Sequence, residues 1–383
     1  MADATVNAKF VSQKISKIRW RPSHDQYTQE SDVFASGSWD DEDCKVCLWR
    51  WPAGESMVDD DGLEFDSGRD LIELSSAPHY GDVSGLEFLS TDSIVVASST
   101  GSVSLYKHHR SSQELNISSK WEGIHHYPSG KGCPCTCVAT QGDDLVVSAG
   151  EDGRINVLNV SRKEPLRTID KANSCTVNGI TFLMQLEVIS VDSSGQLKVF
   201  DLKQSSDEPC KVFSTLGEQI PIQCISRHPT QHHIVAAGGH DGVLSVWDLR
   251  QDKFPVTLLE AHSAPMWEVK FHPSNPDHLF TCSEDGSVLH WDGSSVSSLV
   301  TGTGAGSGGG SLFTQHSQQN SGSSNLGITS PWLAIESGRQ KMDITTLLPN
   351  QTLPVNTIDI LSQTLLAGSD EESIYMLDVP GIR

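Results

Sequence analysis

The clearest pattern of apolar and polar positions in this chain runs from Ala261 to Asp292. Its first apolar run, 266–271, ends at a two-proline segment, 273–276, which favours a turn because proline fixes its own φ and restricts the residue before it. The second run ends at Asp285-Gly286, a strong hairpin signal because glycine adopts φ > 0 without steric cost. The third run ends at Trp291-Asp292. The stretch therefore predicts three consecutive antiparallel strands.

Further stretches repeat this pattern along the chain. Three strands that end on Trp-Asp, at a period of about 40–45 residues, are typical of a WD-repeat propeller blade. The position six residues before each Trp-Asp or its substitute falls at 43, 100, 152, 194, 241, 285 and 371, in steps of 57, 52, 42, 47, 44 and 86 residues. Three steps fit the period and three carry insertions. We therefore predict an all-β, seven-bladed WD40 β-propeller that comprises residues 1–383 as one domain.

The two chain ends are predicted to share the last blade. The seventh copy finishes its third strand near Val379 and the chain stops at Arg383, so this blade lacks an outer strand. Residues 8–13 form a strand-like segment with no local partner. Pairing this segment with the last blade closes the ring and removes edges that would invite aggregation. We therefore predict that the N-terminal strand completes blade seven.

Two insertions follow third strands. Residues 51–70 carry seven acidic side chains, and residues 293–340 include the glycine- and serine-rich run 301–311. Both segments are predicted to be loops, and the second is too poor in apolar residues to pack. Residues 331–335 are its apolar island, and 344–348 is predicted to be the delayed fourth strand of blade six. Since both insertions leave from third-to-fourth connections, we expect them on one face, opposite the Asp-Gly turns.

Charge and composition narrow the choice of partners. The chain has 27 Lys and Arg against 49 Asp and Glu, a net charge of −22. Such a surface repels phosphate backbones, so direct nucleic-acid binding is not expected and basic partner surfaces are favoured. No apolar run approaches the roughly 18 residues of a membrane span, so no membrane insertion is expected. Nine cysteines without a signal-peptide pattern favour reduced thiols in the cytosol or nucleus.

One set of residues in the 261–292 stretch suggests both a catalytic and a structural interpretation. A histidine and an aspartate in one site are what general acid–base catalysis uses. A buried indole N–H, however, needs an acceptor, and a His–Ser–Asp set supplies one while it fixes the turn of the blade. We therefore predict a structural brace, formed by His262, Ser283, Asp285 and Trp291.

No other motif predicts chemistry. Cys44 and Cys47 lie three apart on one predicted strand and therefore point to opposite faces. With the cluster 133–137 they do not supply the two ligand pairs of a structural zinc site. Phosphate-binding loops, nucleophile elbows and zinc-protease motifs are absent from the sequence. We therefore predict no catalytic residue, no cofactor, no metal site and no enzyme activity.

The mouth of the propeller is the predicted site of partner binding. The residues that begin the innermost strands on the Asp-Gly face are Ser16, Ser84, Thr136, Asn178, Gln223, Trp267 and Asn356. An aromatic residue at such a mouth can anchor a partner, and tryptophan is enriched among binding hot spots. We predict Trp267 as the main contact, with Gln223, Asn178 and Asn356 beside it.

Strings along most of the chain are similar to those of one family. They are AKFVSQKISKIRWRP, GSWDDED, GEDGRIN, RTID, GQLKVFD and EAHSAPMWEVKFHPSNPDHLFTCSEDGS. These strings resemble the WD-repeat nucleoporins that form a propeller subunit of the Y-shaped scaffold complex of the nuclear pore. The resemblance runs from Ala8 to near the C-terminus and weakens over 51–70 and 301–325.

The resemblance implies a non-catalytic scaffold that supports pore assembly, nucleocytoplasmic transport and kinetochore attachment in mitosis. The implied partners are other Y-complex nucleoporins, including α-solenoid subunits, and the implied state is a monomeric propeller within a hetero-oligomer. The implied locations are the nucleus, the nuclear envelope with its pore complexes, and the mitotic kinetochore.

A second interpretation rests on Trp247-Asp248-Leu249-Arg250. This tetrapeptide resembles the W-D-x-R box by which some propellers dock the adaptor of a cullin-type ubiquitin ligase, and it implies a substrate receptor. The blade pattern already requires Trp and Asp here, so only Arg250 argues for this alternative.

Overall fold

Seven four-stranded antiparallel sheets surround a common axis in the computed structural model of the chain. The structure describes residues 6–23, 31–51, 71–215, 219–251, 254–294, 330–333, 342–379 and 382, together with the backbone of 57–58 and 64–65. The predicted all-β, seven-bladed propeller is therefore confirmed.

Each of blades one to six takes its strands in chain order from the axis outward, and blade seven takes its outermost strand from the N-terminus. The strands are β1 (Val6–Phe10), β2 (Ile15–Trp20), β3 (Val33–Ser38), β4 (Lys45–Arg50), β5 (Met57–Val58), β6 (Glu64–Phe65), β7 (Ile72–Pro78), β8 (Val83–Ser90), β9 (Ser93–Ser98), β10 (Val103–His109), β11 (Glu114–Trp121), β12 (Cys135–Gln141), β13 (Leu145–Gly150), β14 (Ile155–Asn159), β15 (Arg167–Ile169), β16 (Val177–Met184), β17 (Glu187–Asp192), β18 (Gln196–Asp201), β19 (Lys211–Ser214), β20 (Ile222–Arg227), β21 (Ile234–Gly239), β22 (Val243–Asp248), β23 (Thr257–Glu260), β24 (Met266–Phe271), β25 (His278–Ser283), β26 (Val288–Asp292), β27 (Asp343–Leu348), β28 (Val355–Leu361), β29 (Thr364–Ser369) and β30 (Ser373–Asp378).

The core of the molecule lies between the blades. Each pair of neighbouring blades shares one cluster of buried apolar side chains, so that seven clusters follow the ring. Second strands such as β21 and β25 are buried along their whole length, whereas the outer strand β27 is exposed over four of its six residues. A blade therefore buries both faces only when it has a neighbour on each side, which makes ring closure a condition of stability.

Strand β1 closes the ring by pairing with β30, from Val6 opposite Leu377 to Phe10 opposite Ser373. This confirms that the N-terminal strand completes the last blade. The strand covers Val6–Phe10 and not the predicted 8–13. Ser12 has φ 56°, a left-handed conformation that does not continue an extended strand, so the chain turns there toward blade one.

The insertions leave from the predicted connections. Strand β27, which pairs with β26, is the delayed fourth strand of blade six. Most of the acidic loop 51–70 lies outside the described residues, apart from Trp51 and the backbone of the short β5–β6 pair. Of 293–340 the structure describes 293–294 and 330–333. In an antiparallel blade, third-to-fourth loops lie at the same end as first-to-second loops, which is the end opposite the Asp-Gly turns.

Deleting residues 1–10 should weaken the fold and expose an edge. The deletion removes β1, and loss of its hydrogen bonds to β30 is expected to lower the free energy of unfolding by about 3 kcal/mol. The open edge of β30 should promote self-association. Thermal unfolding and sedimentation velocity measure the two effects, and deletion of residues 1–5 is the matched control that keeps β1. A 1–10 deletion as stable and as monomeric as the control would contradict the role of the strand.

Candidate functional site

The predicted brace of blade six is a continuous chain of hydrogen bonds. His262 Nδ1 lies 3.2 Å from Asp285 Oδ2, and its Nε2 lies 2.8 Å from Thr281 Oγ1. The indole Nε1 of Trp291 donates to the same Thr281 oxygen at 3.0 Å. Because the ionised carboxylate of Asp285 can only accept, the neutral imidazole carries its proton on Nδ1, and Nε2 accepts from the threonine hydroxyl. The tight turn and the third strand are thereby tied together.

Thr281 supplies the hydroxyl of this brace where the sequence predicted Ser283. The Ser283 hydroxyl instead accepts from the N–H of Asp285 and donates to the carbonyl of Ala264, both at 3.1 Å. The reason is strand register. Trp291 lies diagonally opposite Thr281 in the β25–β26 pair, within reach of a large indole, whereas Ser283 lies two residues further along.

Blade three carries a related set of side chains that was not predicted from the sequence. His125 contacts Asp152 at 2.9 Å and Ser148 at 3.0 Å, and all three side chains are buried. Ser148 and Thr281 each stand four residues before the aspartate of their turn. That shared spacing is the sequence signal that identifies the hydroxyl position in both blades.

Burial and hydrogen bonding fix the charges of these residues. Burial lowers the pKa of His262 and outweighs the attraction of Asp285. Burial alone would raise the pKa of Asp285, but hydrogen bonds from Ser287 and from backbone N–H groups hold it below its ordinary value. Asp152 has a lowered pKa for the same reasons, with His125 as its main donor. At neutral pH each aspartate is therefore a charged acceptor within a closed set of hydrogen bonds.

The seven residues predicted to ring the mouth are all β-bulge residues. In every blade the register between the first and second strands shifts at the second residue of the first strand. A bulge leaves this residue unpaired and redirects its side chain. The bulged residues are Ser16, Ser84, Thr136, Asn178, Gln223, Trp267 and Asn356.

Five of these residues join their blade to the next one. Each donates to the carbonyl of the first residue in the neighbouring first strand. Asn178 Nδ2 donates to Ile222 O at 2.8 Å, and Asn356 Nδ2 donates to Ile15 O at 3.0 Å. The other donors and acceptors are Ser16 with Val83, Ser84 with Cys135, and Thr136 with Val177. The amides of Asn178 and Asn356, predicted as partner contacts, therefore hold neighbouring blades together.

Gln223 and Trp267, the other two bulged residues, do not make this hydrogen bond to the next blade. Gln223 Nε2 makes its hydrogen bond with His240 Nδ1 of the same blade, at 3.0 Å. Trp267 is half-buried against the apolar cluster between blades six and seven, and its buried indole nitrogen has no hydrogen-bond partner among the described residues. Along this arc a large aromatic ring thus replaces the small polar groups that join the other blades.

Below the mouth, a charge network crosses the axis of the ring. Arg19 Nη2 donates to Glu268 Oε1 at 2.5 Å, and Arg19 Nε donates to Glu87 Oε1 at 2.8 Å. The Thr357 hydroxyl and the N–H of Ile358 donate to Glu268 Oε2 at 2.8 and 2.9 Å. Burial opposes both charges, but their attraction raises the pKa of Arg19 and holds that of Glu268 well below its ordinary value. Blades one, two, six and seven are therefore linked through one buried network.

The side chains of the tetrapeptide 247–250 are bonded within blade five, at the end of its third strand. Arg250 donates to both carboxylate oxygens of Asp248, from Nε at 2.9 Å and from Nη2 at 2.7 Å. The Trp247 indole donates to Ser245 Oγ at 3.0 Å. Trp247, Asp248 and Leu249 are buried, so only the arginine presents surface.

The part of the chain that the structure describes also bears on metal binding and on membrane insertion. It contains no group of three or more His, Cys, Asp or Glu side chains placed to hold a metal ion. It also contains no helix long and apolar enough to cross a membrane. All nine cysteines are free thiols, and burial raises the pKa of Cys47 and Cys137 to about 12.

Known proteins share both the repeats and the full length of the chain. The WD domain, G-beta repeat family matches residues 210–248 and 253–292, each of which holds the outer strand of one blade and the first three strands of the next, here blades five and six. Together with the closed ring, these matches define a WD-repeat β-propeller. Nucleoporin Nup43 of mouse and Nucleoporin Nup43 of human are each 44% identical over 376 residues, which cover 97% of this chain and 98% of each relative. The chain therefore belongs to the Nup43 family of nucleoporins.

A more distant relative is also a nuclear pore protein. The nuclear pore complex protein nup43 of Dictyostelium discoideum is 30% identical over 148 residues, 38% of this chain and 34% of that protein. These relatives give no support to the ubiquitin-ligase alternative based on residues 247–250.

Replacing Thr281 by Ala should destabilise the propeller. The change leaves the indole N–H of Trp291 and Nε2 of His262 without the buried hydroxyl that both contact, and we expect a loss of about 2–4 kcal/mol in the free energy of unfolding. Thr281→Ser keeps the hydroxyl and is expected to lose less than about 1.5 kcal/mol. Urea unfolding followed by tryptophan fluorescence compares the two. Equal losses of unfolding free energy in the two variants would show that the hydroxyl does not stabilise the brace.

The axial ion pair should show strong coupling. Arg19→Met leaves Glu268 buried without its main counter-ion and is expected to cost about 3 kcal/mol or more of unfolding free energy. Adding Glu268→Leu removes the stranded charge, so the double variant should recover much of that loss. Denaturant unfolding at pH 7.5 measures both. A double variant that is no more stable than Arg19→Met would refute the coupling.

Proposed function

We propose that the chain is a non-catalytic scaffold subunit of the Y-shaped complex of the nuclear pore. The observation that carries the proposal is the 44% identity to mouse and human Nup43 along 97% of this chain. Identity over that length covers all the blades and not only the repeats that any WD protein shares. The Y complex itself is inferred from the resemblance of the chain to propeller subunits of that assembly.

A non-catalytic function is supported by the burial of polar and charged side chains that could otherwise contact a substrate. His125 and His262 are buried and bonded to Asp152 and Asp285 within the braces of their blades. Arg19 is buried against carboxylates of the axial network. Groups engaged in this way hold the fold together and are not available to a substrate.

The partners in this proposal are other Y-complex nucleoporins, including α-solenoid subunits, with the chain as a single propeller in a hetero-oligomer. Its locations are the nuclear envelope at pore complexes and the kinetochore in mitosis. Its roles are pore assembly, nucleocytoplasmic and mRNA transport, and chromosome attachment. The net charge of −22 favours partner surfaces that are basic.

We place one partner contact at the arc of the mouth formed by Gln223 and Trp267. This arc lacks the blade-to-blade bonds made by the other bulged residues, and Trp267 presents part of an aromatic ring there. Half-buried tryptophans held by a rigid scaffold are favourable anchors, because little side-chain entropy is lost on binding.

Affinity purification of the tagged chain from cells is expected to recover Y-complex nucleoporins. With purified subunits, Trp267→Ala should weaken at least one partner by about tenfold or more. Ile117→Ala, which changes an apolar side chain 51% exposed on the outer strand of blade two, is the control. Purification that recovers no nucleoporin would contradict the scaffold function. If every partner bound Trp267→Ala as tightly as the parent chain, only the mouth contact would be wrong.

A further inference from the structure

Blades four and five flank an open groove on the face opposite the Asp-Gly turns. Its volume is about 390 Å³, within the range of ligand and peptide-anchor pockets. Leu183, Val199 and Leu249 are buried in its lining, and Met184 at its mouth is 56% exposed. We call this space, lined also by Lys211 and Arg250, the four–five groove.

Strand register identifies the equivalent groove on either side of it. Arg167, Lys211 and Thr257 are each the first residue of the outer strand in their blade. Each pairs with a valine of the third strand, and these valines are Val157, Val199 and Val246. The three positions therefore mark the same place at three successive blade interfaces, from three–four to five–six.

At the three–four interface, the protein fills this place with its own loop. The Arg167 guanidinium donates to Ser206 O at 2.6 Å and to Asp207 Oδ1 at 3.0 Å, and it also donates to the carbonyls of Leu202 and Gln204. All four acceptors belong to the connection between the third and fourth strands of blade four. The side chain and the loop together occupy the space between the blades.

At the five–six interface, an aromatic residue of the second insertion fills the equivalent place. Trp332 is fully buried, and its indole Nε1 donates to Pro276 O at 2.8 Å. Thr257 Oγ1 donates to Trp332 O at 3.2 Å, and the Phe271 ring meets the indole edge to face at 5.6 Å. Here Trp332, from the described part of the predicted apolar island, fills the groove between the two blades.

At the four–five interface, one bond among the described residues crosses at the corresponding position, and a second, from Arg227 Nη1 to Leu183 O at 2.9 Å, reaches the lining from blade five. Lys211 Nζ donates to Leu249 O at 2.9 Å, and the described residues leave the space beside it open. The rim carries Lys211 and Arg250, and Glu187 is the carboxylate of its lining. Arg250 is also paired with the buried Asp248, but 60% of its side chain is exposed to a ligand. In a chain of net charge −22, this cationic rim favours a ligand that carries acidic residues.

We propose that the four–five groove is a docking site for a short segment of another protein. An aromatic side chain of that segment enters the groove as Trp332 enters the neighbouring one, and acidic residues beside it face Lys211 and Arg250. Met184 at the mouth suits this role, because an unbranched thioether adapts to aromatic surfaces. The proposal goes beyond the scaffold function and does not depend on it.

The test uses the purified full chain and a fluorescein-labelled synthetic peptide, Asp-Glu-Ser-Pro-Trp-Leu-Glu-Asp, whose core copies residues 330–333. Fluorescence anisotropy should show saturable binding with a Kd of about 1–100 μM, weaker at higher salt. Met184→Glu places a carboxylate at the mouth and should weaken binding by about tenfold or more. Ile117→Glu, which adds the same charge at an exposed apolar site on blade two, should leave the Kd unchanged.

Two further measurements make the test decisive. Lys211→Glu reverses the charge of the rim and should weaken the peptide as Met184→Glu does, and thermal unfolding verifies that each variant is folded. The same peptide with serine in place of tryptophan should not bind. Absence of saturation below about 1 mM peptide would overturn the proposal. So would equal binding by the parent chain and Met184→Glu in the folded state, or tight binding of the serine peptide.

Discussion

The buried pair of Arg19 and Glu268 is the interaction on which the geometry of the ring most depends. It joins blade one to blade six across blade seven, the one blade assembled from both ends of the chain. Removing two charges from water costs several kcal/mol for each ion, and attraction offsets this only where further hydrogen bonds complete the site. Thr357 and the N–H of Ile358 supply those bonds from blade seven. The first strands of the three blades therefore have one relative position in which the network is satisfied.

The mouth above this network follows from a repeated backbone irregularity. A bulge at the second residue of each first strand turns one side chain out of its own sheet. Where that side chain is a small donor, as in Ser16 or Asn178, it bonds the next blade and the rim becomes part of the scaffold. Where it is Trp267, the same geometry displays an aromatic ring. One backbone feature thus produces both the blade-to-blade bonds of the rim and the displayed aromatic ring, and the residue type decides between them.

Local chemistry made most of the fold predictable. Asp-Gly turns, apolar runs and Trp-Asp endings are local patterns, so they predict the positions of the blades. The missing outer strand of the last blade predicts how the ring closes. The features that escaped prediction depend on distances in space. Thr281 replaces Ser283 in the brace because cross-strand register brings it beneath the indole. The partnership of Arg19 with Glu268 has no local signature, since the two residues lie 249 positions apart in the sequence. Burial of Trp332 between blades could not be predicted either, because composition shows an apolar segment but not the groove into which it packs.

The pairing of β1 with β30 also sets an order of events during synthesis. Of the described strands, β1 is made first and is bonded to β30, which is made last, with the six other blades in between. Blades one to six have all four strands from consecutive chain and can associate as they emerge. Until β30 arrives, Val6–Phe10 has no partner and presents an unpaired edge, the kind of surface that chaperones protect. During synthesis the ring therefore cannot close before β30 is made, and a chain that lacks β30 is an open arc with two exposed blade faces.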